Sequence, residues 1–195
     1  MTARIIVDFM ETPLGRMILG ATDDGLCLLE FVDEESPPLS TENLKKRFNS
    51  PFIRGSHPIL TVAREELNKY FQKELKCFSV PLDLRGTEFQ KQVWSELLKI
   101  PYGTTETYSA IATRLGNPGA VRGVGRANGS NNVAIVVPCH RVVGADGTLV
   151  GYAGGLSRKR ALLEIEDAPI VRKDLLRPSE KSRRKASLTQ WIESS

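Results

Sequence analysis

The chain has 195 residues, 41% of them hydrophobic, and a net charge of +4 at pH 7. It is too apolar for a fully disordered protein and long enough for one large or two small domains. It shows neither the ~20-residue apolar run of a membrane helix nor a cleavable leader, so we expect no membrane insertion and no secretion. Three cysteines cannot all pair within one chain, so we expect no disulfide scaffold.

The first 80 residues have the pattern of a small sheet followed by helices. Short apolar runs alternate with turn residues between Ile5 and Leu29, and the turn at residues 23–25 predicts a hairpin. Helical spacing of apolar residues predicts a short helix over residues 41–48 and a longer one over residues 60–71. We therefore predict an α/β domain over residues 1–80.

Helical signals dominate after a domain boundary predicted near Pro81. Thr87 and Gln90 form a capping box for a helix expected to bury Phe89, Val93, Trp94 and Leu97. A second helix is predicted over residues 108–115. A third runs over residues 118–129 with Asn117 as its cap. Helix, glycine-containing turn, helix is the helix-turn-helix pattern, so we predict a mainly α domain over residues 81–168.

The helix over residues 118–129 carries glycines and arginines on one face. Arg122, Gly125, Arg126 and Gly129 lie opposite the apolar positions that face the domain. Glycine costs a helix interior ~1 kcal/mol relative to alanine, so a compensating use is expected. One such use is close approach of the helix backbone to DNA, with the arginines binding phosphates or bases. The alternative interpretation is a frayed helix with arginines on the protein surface.

A cysteine stands beside a histidine after an apolar run. Residues 133–137 are predicted to form a strand that Pro138 ends, which would display Cys139 at the strand exit. A thiol with an ordinary pKa is mostly protonated at neutral pH, so a nucleophilic Cys139 needs a base. His140 can serve through a bridging water, with Glu166 to orient the imidazole.

The remaining cysteines and the C-terminal residues complete the predictions from composition. We expect Cys27 and Cys77 to be core residues, and two histidines without a Cys-x-x-Cys pair give little support for a zinc site. Net charge is −2 over residues 1–80, +2 over residues 81–168 and +4 over residues 169–195. Residues 169–195 are predicted to be a mobile basic tail. Three roles remain open for it: a solvated tail without further function, a nonspecific DNA tether and a nuclear localisation signal.

The sequence Pro138-Cys139-His140-Arg141-Val142 resembles the O6-alkylguanine-DNA alkyltransferases, also called methylated-DNA–protein-cysteine methyltransferases. Other motifs of this family stand in order around it: Phe89-Gln90, Val93-Trp94, Ile100-Pro101-Tyr102-Gly103, Tyr108, Arg122, Val124-Gly125-Arg126-Ala127-Asn128-Gly129, Asn131 and Gly151-Tyr152-Ala153-Gly154-Gly155-Leu156. The resemblance is strong over residues 87–166 and weaker before them. It implies a ribonuclease-H-like N-terminal domain and a C-terminal domain with a winged-helix-like helix-turn-helix.

The resemblance also implies a reaction: an O6-alkylguanine leaves the duplex, and Cys139 takes its alkyl group once, irreversibly. By resemblance, His140 and Glu166 activate the thiol, Asn131 braces the cysteine turn and Tyr108 donates toward guanine N3. Binding in the DNA minor groove would use Arg122, which takes the place of the flipped nucleotide, with Gly125, Arg126 and Gly129 in close approach. The pocket for the base would be lined by Val142, Val150, Tyr152, Ala153 and Gly154.

The chain departs from the usual sequence of this family at several positions. Gly123 stands where alanine is usual, Asn132 where proline is frequent and Ala153 where serine is frequent; none removes a reactive group. Val150 is bulkier than the glycine of some relatives, so methyl should be preferred to benzyl. Cys27 lacks zinc-binding partners, and we expect neither metal nor cofactor. We expect a monomer in the cytoplasm, or in the nucleus of a eukaryote.

Two other functions are considered for the chain: a non-catalytic sensor of alkylated DNA and a cysteine hydrolase.

Overall fold

The computed structural model describes residues 4–32 and 47–169. These residues form a four-stranded sheet with a helix packed against it, followed by a group of helices that holds a small two-stranded sheet. No helix in the two ranges is long and apolar enough to cross a membrane. The predicted basic tail lies outside the described residues except for Pro169.

The larger sheet contains β1 (Ile5–Thr12), β2 (Gly15–Thr22), β3 (Gly25–Phe31) and β4 (Phe52–Arg54), in the order β3-β2-β1-β4. The first three strands are antiparallel neighbours, and β4 pairs in parallel with β1. The predicted hairpin is therefore confirmed.

Helix α1 (Pro58–Phe71) packs on this sheet. His57 caps it by accepting a hydrogen bond at Nδ1 from the Ile59 amide, and the buried side chains recur at helical spacing. This confirms the helix predicted over residues 60–71. Of the short helix predicted over residues 41–48, the structure describes Arg47 and Phe48, both helical; the rest lies outside the described residues.

The C-terminal half contains α2 (Glu88–Leu98), α3 (Tyr108–Arg114), α4 (Val121–Gly129) and α5 (Leu156–Ile165). Two short strands, β5 (Glu106–Thr107) and β6 (Val142–Val143), pair in parallel between them. Both hydrogen bonds of the predicted Thr87 and Gln90 capping box are present at the start of α2. The helices predicted from periodicity are confirmed in type and order.

The predicted strand over residues 133–137 is wrong. Val133 forms one isolated bridge with Leu29, and the segment then passes through turns in which Ile135 has a φ of 71°. All five residues are buried. A turn buried on every side is as apolar as a central strand, so composition does not separate the two.

Two details of the predicted helices are also wrong. Phe89 is 36% exposed, because it lies in the first turn of α2, where its ring packs over Gly123 at the edge of the molecule. Asn117 makes no capping bond, and a 3-10 turn, Pro118–Ala120, precedes α4. The backbone therefore tightens where the sequence predicts a first α-helical turn.

One hydrophobic core runs through both halves of the chain. It includes Leu29 and Leu67 from the sheet and α1, and Trp94, Ile111 and Leu162 from the helices that follow. Backbone bonds strengthen the junction, since the amide of Leu29 donates to the carbonyl of residue 132 at 2.7 Å and its carbonyl accepts from the amide of residue 134 at 2.8 Å. This junction brings β3 beside the segment that leads to Cys139.

The two other cysteines have different environments. Cys27 is fully buried in a smaller cluster with Ile5, Val7 and Phe52, and burial raises the pKa of its thiol to about 12. Cys77 is exposed, so the prediction that it is a core residue is wrong. It lies in the stretch after α1, where the chain runs along the surface between the two halves.

Candidate active site and DNA-binding face

Cys139 begins a single 3-10 turn, Cys139–Arg141, and is 5% exposed. Asn131 holds this turn from two sides. Its Nδ2 donates to Cys139 Sγ at 3.1 Å and to the carbonyl of Val137 at 2.9 Å, while its Oδ1 accepts from the amide of Val133 at 3.0 Å. The geometry fits the bracing role that the resemblance implies for Asn131.

The resting sulfur is a thiol. Burial raises the pKa of Cys139, while the hydrogen bond from Asn131 and the charge of Lys159 act in the opposite direction without overcoming it. A buried thiol with a raised pKa is a weak nucleophile at neutral pH. The site therefore needs a base close to the sulfur.

His140 has the tautomer that a base needs. Its Nε2 lies 2.8 Å from Glu166 Oε1, and both side chains are fully buried. Burial alone would raise the pKa of Glu166, but hydrogen bonds from His140 and Arg141 outweigh it and hold that pKa at about 2. The ionised carboxylate only accepts, so Nε2 carries the hydrogen. Burial lowers the pKa of His140, which leaves Nδ1 with a free lone pair and no hydrogen-bond partner among the described residues.

Sequence reasoning missed two further partners of Glu166. Arg141 donates from Nε to Oε2 at 2.8 Å and from Nη2 to Oε1 at 3.0 Å, and Tyr70 donates its hydroxyl to Oε1 at 2.8 Å. Arg141 directly follows the Cys-His pair, so its position was a usable signal. In the sequence, Tyr70 has only the pattern of a buried residue of α1. No local signal indicates its contact with a glutamate 96 residues away.

Lys159 was missed as well. This lysine of α5 is fully buried, and its ammonium donates to the carbonyls of Val142 and Val150 at 2.5 and 2.6 Å. Burial lowers its pKa to about 8, and its charge acts on Cys139. A buried lysine amid carbonyls joins the strand after the cysteine to the loop at residues 150–151 and adds positive charge near the sulfur.

A cavity of about 350 Å³ opens beside Cys139, within the range of small-molecule sites. Tyr152, Ala153 and Gly154 line it, as the resemblance implies. Val142 and Val150 are not among the residues that line this cavity: Val142 is fully buried in β6, and Val150 is half-buried, with its carbonyl accepting hydrogen bonds from Tyr108 and Lys159.

The N-terminal half supplies the opposite wall of the cavity. Glu30, Phe31 and Arg47 line it, and Arg47 forms a two-bond ion pair with Glu30. Gly154 lies between two rings, because a Cβ added there would come within 2.8 Å of Tyr152 and 3.0 Å of Phe31. No sequence motif had indicated that β3 reaches the site.

Two tyrosines face this region with hydroxyls that remain protonated. Tyr108, the first residue of α3, donates to the carbonyl of Val150 at 3.3 Å, and burial raises its pKa to about 12. Burial raises the pKa of Tyr152 well above its ordinary value, and its hydroxyl has no hydrogen-bond partner within the described ranges. The Tyr152 hydroxyl could donate to a bound base, whereas the Tyr108 hydroxyl would first have to leave the Val150 carbonyl.

The expected DNA-binding residues share one exposed face of α4. Arg122, Arg126 and Gly129 are exposed and Gly125 is partly so, while Val124, Ala127 and Asn128 turn inward. The fold does not demand the glycines: a Cβ at Gly125 would make ordinary contact with Tyr108 at 3.9 Å, and one at Gly129 would meet nothing within 4 Å. Within the described residues, no group of three or more His, Cys, Asp or Glu side chains could hold a metal ion.

Family models match both halves of the chain. Residues 5–84 match the 6-O-methylguanine DNA methyltransferase ribonuclease-like domain, and residues 88–168 match the DNA-binding domain of the same family.

Individual relatives agree. A methylated-DNA–protein-cysteine methyltransferase of Mycobacterium tuberculosis is 62% identical over 104 residues, which is 53% of this chain and 63% of that protein, less than two thirds of its length. The Mycobacterium leprae protein of the same name is 46% identical over 83% of this chain and 92% of its own. The crystal structure of M. tuberculosis OGT in complex with DNA has a TM-score of 0.71 at 44% identity, covering 84% of this chain and 95% of that one. With both domains matched in order, this chain belongs to the methylated-DNA–protein-cysteine methyltransferase family.

Proposed function

We propose that this chain repairs O6-alkylguanine in duplex DNA by transferring the alkyl group irreversibly to Cys139, one event per molecule. The observation that carries the proposal is the connected set of contacts around the sulfur. Asn131 holds the thiol. The adjacent His140 is bound at Nε2 by ionised Glu166, and its Nδ1 has no hydrogen-bond partner among the described residues. A cavity opens beside Cys139.

The reaction is a single displacement. His140 accepts the Cys139 proton at Nδ1 through a bridging water, and Glu166 stabilises the imidazolium that forms. The thiolate attacks the alkyl carbon, a carbon–sulfur bond forms and the bond from that carbon to O6 breaks. The electron pair goes to guanine, which takes up a proton and leaves, while Tyr108 donates toward N3 as charge develops. The product is a thioether with no route back to the thiol.

The substrate base reaches the sulfur only outside the helix stack. Cys139 is 5% exposed and lies at a cavity, and an alkyl carbon stacked in a duplex could not approach it. We assign Tyr152, Ala153 and Gly154 to the wall that holds the everted base. The buried hydroxyl of Tyr152 has no partner in the described part of the chain, and we assign it to a polar edge of that base.

DNA would bind on the exposed face of α4, the second helix of a winged-helix-like helix-turn-helix formed with α3. We assign this helix to the minor groove, where Gly125 and Gly129 permit close approach and Arg122 takes the place of the everted nucleotide. Arg126 would contact phosphate. Domains over residues 1–80 and 81–168, a monomeric state and a cytoplasmic location complete the proposal.

A non-reacting sensor of alkylated DNA fits the site less well. Such a protein has no use for a thiol held by Asn131 next to a histidine with a free lone pair. The hydrolase alternative lacks a function for the arginine and glycine face of α4.

Transfer of a labelled methyl group tests the proposal. The full chain is incubated with a duplex that contains O6-methylguanine, and peptides are mapped by mass spectrometry. We expect label on Cys139 at no more than one per molecule, none in Cys139→Ser, and damaged-DNA binding retained in that variant. Binding without transfer would establish the sensor, and repeated turnover would establish a hydrolase.

A further inference from the structure

Tyr70 brings the N-terminal half of the chain into contact with the groups that activate the cysteine. It lies near the end of α1, is fully buried and donates its hydroxyl to Glu166 Oε1 at 2.8 Å. Burial together with the charge of Glu166 raises the pKa of Tyr70 far above its ordinary value, so the hydroxyl stays a donor.

The carboxylate of Glu166 has five close donors among the residues that the structure describes. Oε1 accepts from Tyr70 at 2.8 Å, from His140 at 2.8 Å and from Arg141 Nη2 at 3.0 Å. Oε2 accepts from Arg141 Nε at 2.8 Å and from the amide of Gly103 at 3.3 Å. Tyr70 and His140 therefore share one oxygen.

The orientation of the carboxylate does not depend on Tyr70. The two-bond fork of Arg141 fixes the carboxylate plane, and Arg141 is itself held because its Nη1 donates to the carbonyl of Ile100 at 2.6 Å. The hydroxyl of Tyr70 competes with His140 for Oε1 of Glu166. Each further hydrogen-bond donor on this oxygen reduces the negative charge that would otherwise stabilise an imidazolium on His140.

We infer that Tyr70 moderates the basicity of His140, and with it the pH at which Cys139 ionises, by donating to the Glu166 oxygen that also holds the imidazole. Tyr70 is a positioning and tuning residue, since it reaches the reacting sulfur only through Glu166 and His140. The inference rests on the proposed function in one respect, that His140 is the base for Cys139.

Other charged and titratable groups face the same network and stay unchanged in the Tyr70→Phe variant. They lie on the cysteine turn, on α5, on the loop before α3, on α3 itself and on the loop after residue 150: Arg141, Lys159, Tyr102, Tyr108 and Tyr152. The charges of Arg141 and Lys159 both lower the pKa of His140, so a shift caused by Tyr70 is measured against a fixed cationic background.

The test measures the rate of Cys139 modification by iodoacetamide against pH, in the full chain and without DNA. Tyr70→Phe keeps the ring that packs against Tyr102 and Phe78 but removes the hydroxyl. Tyr102→Phe is the matched control, because it removes a hydroxyl that donates to the carbonyl of Ile165 at 3.0 Å in the same aromatic cluster. Exposed Cys77 supplies an internal reference for reagent and pH in each sample.

We expect Tyr70→Phe to move the midpoint of Cys139 modification to lower pH by about half a unit or more, because the freed oxygen binds an imidazolium more strongly. Tyr102→Phe should keep the wild-type midpoint. A Tyr70→Phe midpoint equal to wild type, a shift to higher pH, or an equal shift in Tyr102→Phe overturns the inference.

A second replacement guards against a folding defect. Incorporating 3-fluorotyrosine at position 70 retains the ring and makes the hydroxyl a stronger donor, so the midpoint should move to higher pH, opposite to the shift of Tyr70→Phe. Shifts of the same sign in both proteins overturn the inference. Failure of the proposed function is distinguishable from failure of this inference. If the proposed function is wrong, the wild-type chain transfers no methyl group from DNA, whatever the midpoints of Cys139 modification are.

Discussion

The indole of Trp94 donates its Nε1 hydrogen to the carbonyl of Ala127 at 2.8 Å. This bond joins α2 to the buried side of α4, and Val124 and Ala127 pack on the same side. The exposed face of α4 is thereby fixed in direction, with Arg122 and Gly125 outward. That orientation makes the role of the helix open to direct tests.

Gly125→Ala should separate folding from DNA binding. The new methyl group makes ordinary contact with Tyr108 at 3.9 Å, and alanine is favoured over glycine in a helix by up to ~1 kcal/mol, so thermal stability should hold or rise. Binding to duplex DNA should weaken at least several-fold, because the methyl group keeps the helix backbone from close approach. Gly123→Ala, where the added methyl group would lie 3.4 Å from the ring of Phe89, serves as the control. Equal DNA affinity of Gly125→Ala and wild type in fluorescence anisotropy contradicts the assignment of this face.

Arg122→Ala should slow repair more than it weakens binding. Its side chain is exposed on the proposed DNA face, and removal takes away the group that would occupy the space of the everted nucleotide. We expect the single-turnover rate of methyl transfer to fall about tenfold or more, equivalent to ~1.4 kcal/mol in the barrier. Arg54→Ala, an exposed arginine of β4, should react at the wild-type rate. An unchanged rate for Arg122→Ala would remove Arg122 from the mechanism.

Glu166 should make the folded chain sensitive to acid. Its pKa is held at about 2 against an ordinary value of 4.5, so its contribution to stability is complete above pH 4.5 and is lost as the pH falls toward 2. The size of this contribution is about 3 kcal/mol. Glu166→Gln should be less stable at neutral pH and should lose less stability between pH 4.5 and 3 than wild type does. Urea unfolding at several pH values measures both, and parallel curves would contradict the prediction.

Phe31 should restrict the size of the alkyl group. Its ring forms the cavity wall contributed by β3, packs close to Gly154 and lies 4.5 Å below the guanidinium of Arg158. We expect wild type to react faster with methylated than with benzylated guanine, and Phe31→Ala to narrow the difference several-fold. Phe9→Ala removes a ring under Arg16 elsewhere on the sheet and is the matched control. A ratio of rates that is the same in all three proteins would remove Phe31 from substrate selection.

Local signals in the sequence predicted the helices and the hairpin well, because capping residues, turns and apolar spacing act over a few residues. The capping box at Thr87 and Gln90 is an example. Residues 133–137 show the limit of this reasoning. Their apolar character reports burial, and the positive φ of Ile135 follows from a path through the core that tertiary contacts impose.

The site was predicted in part for the same reason. Cys139 and His140 are adjacent, and their chemistry can be read from the sequence, whereas Asn131 was assigned only through the family resemblance. Tyr70 and Phe31 were not predicted, since they enter the site only after the N-terminal sheet and α1 pack on the helices. Residues that work across a domain junction leave no periodic or motif signal in a single chain.

The hydrophobic core that passes without a break from the sheet to α5 has a consequence for how this protein loses its structure. Two sequence modules can be matched separately, yet both contribute residues to the larger core, so removing either one would expose that core to water. Heat or denaturant should therefore melt the whole described body in one cooperative transition, and severing the chain between the modules should leave two fragments that regain order only by reassociating.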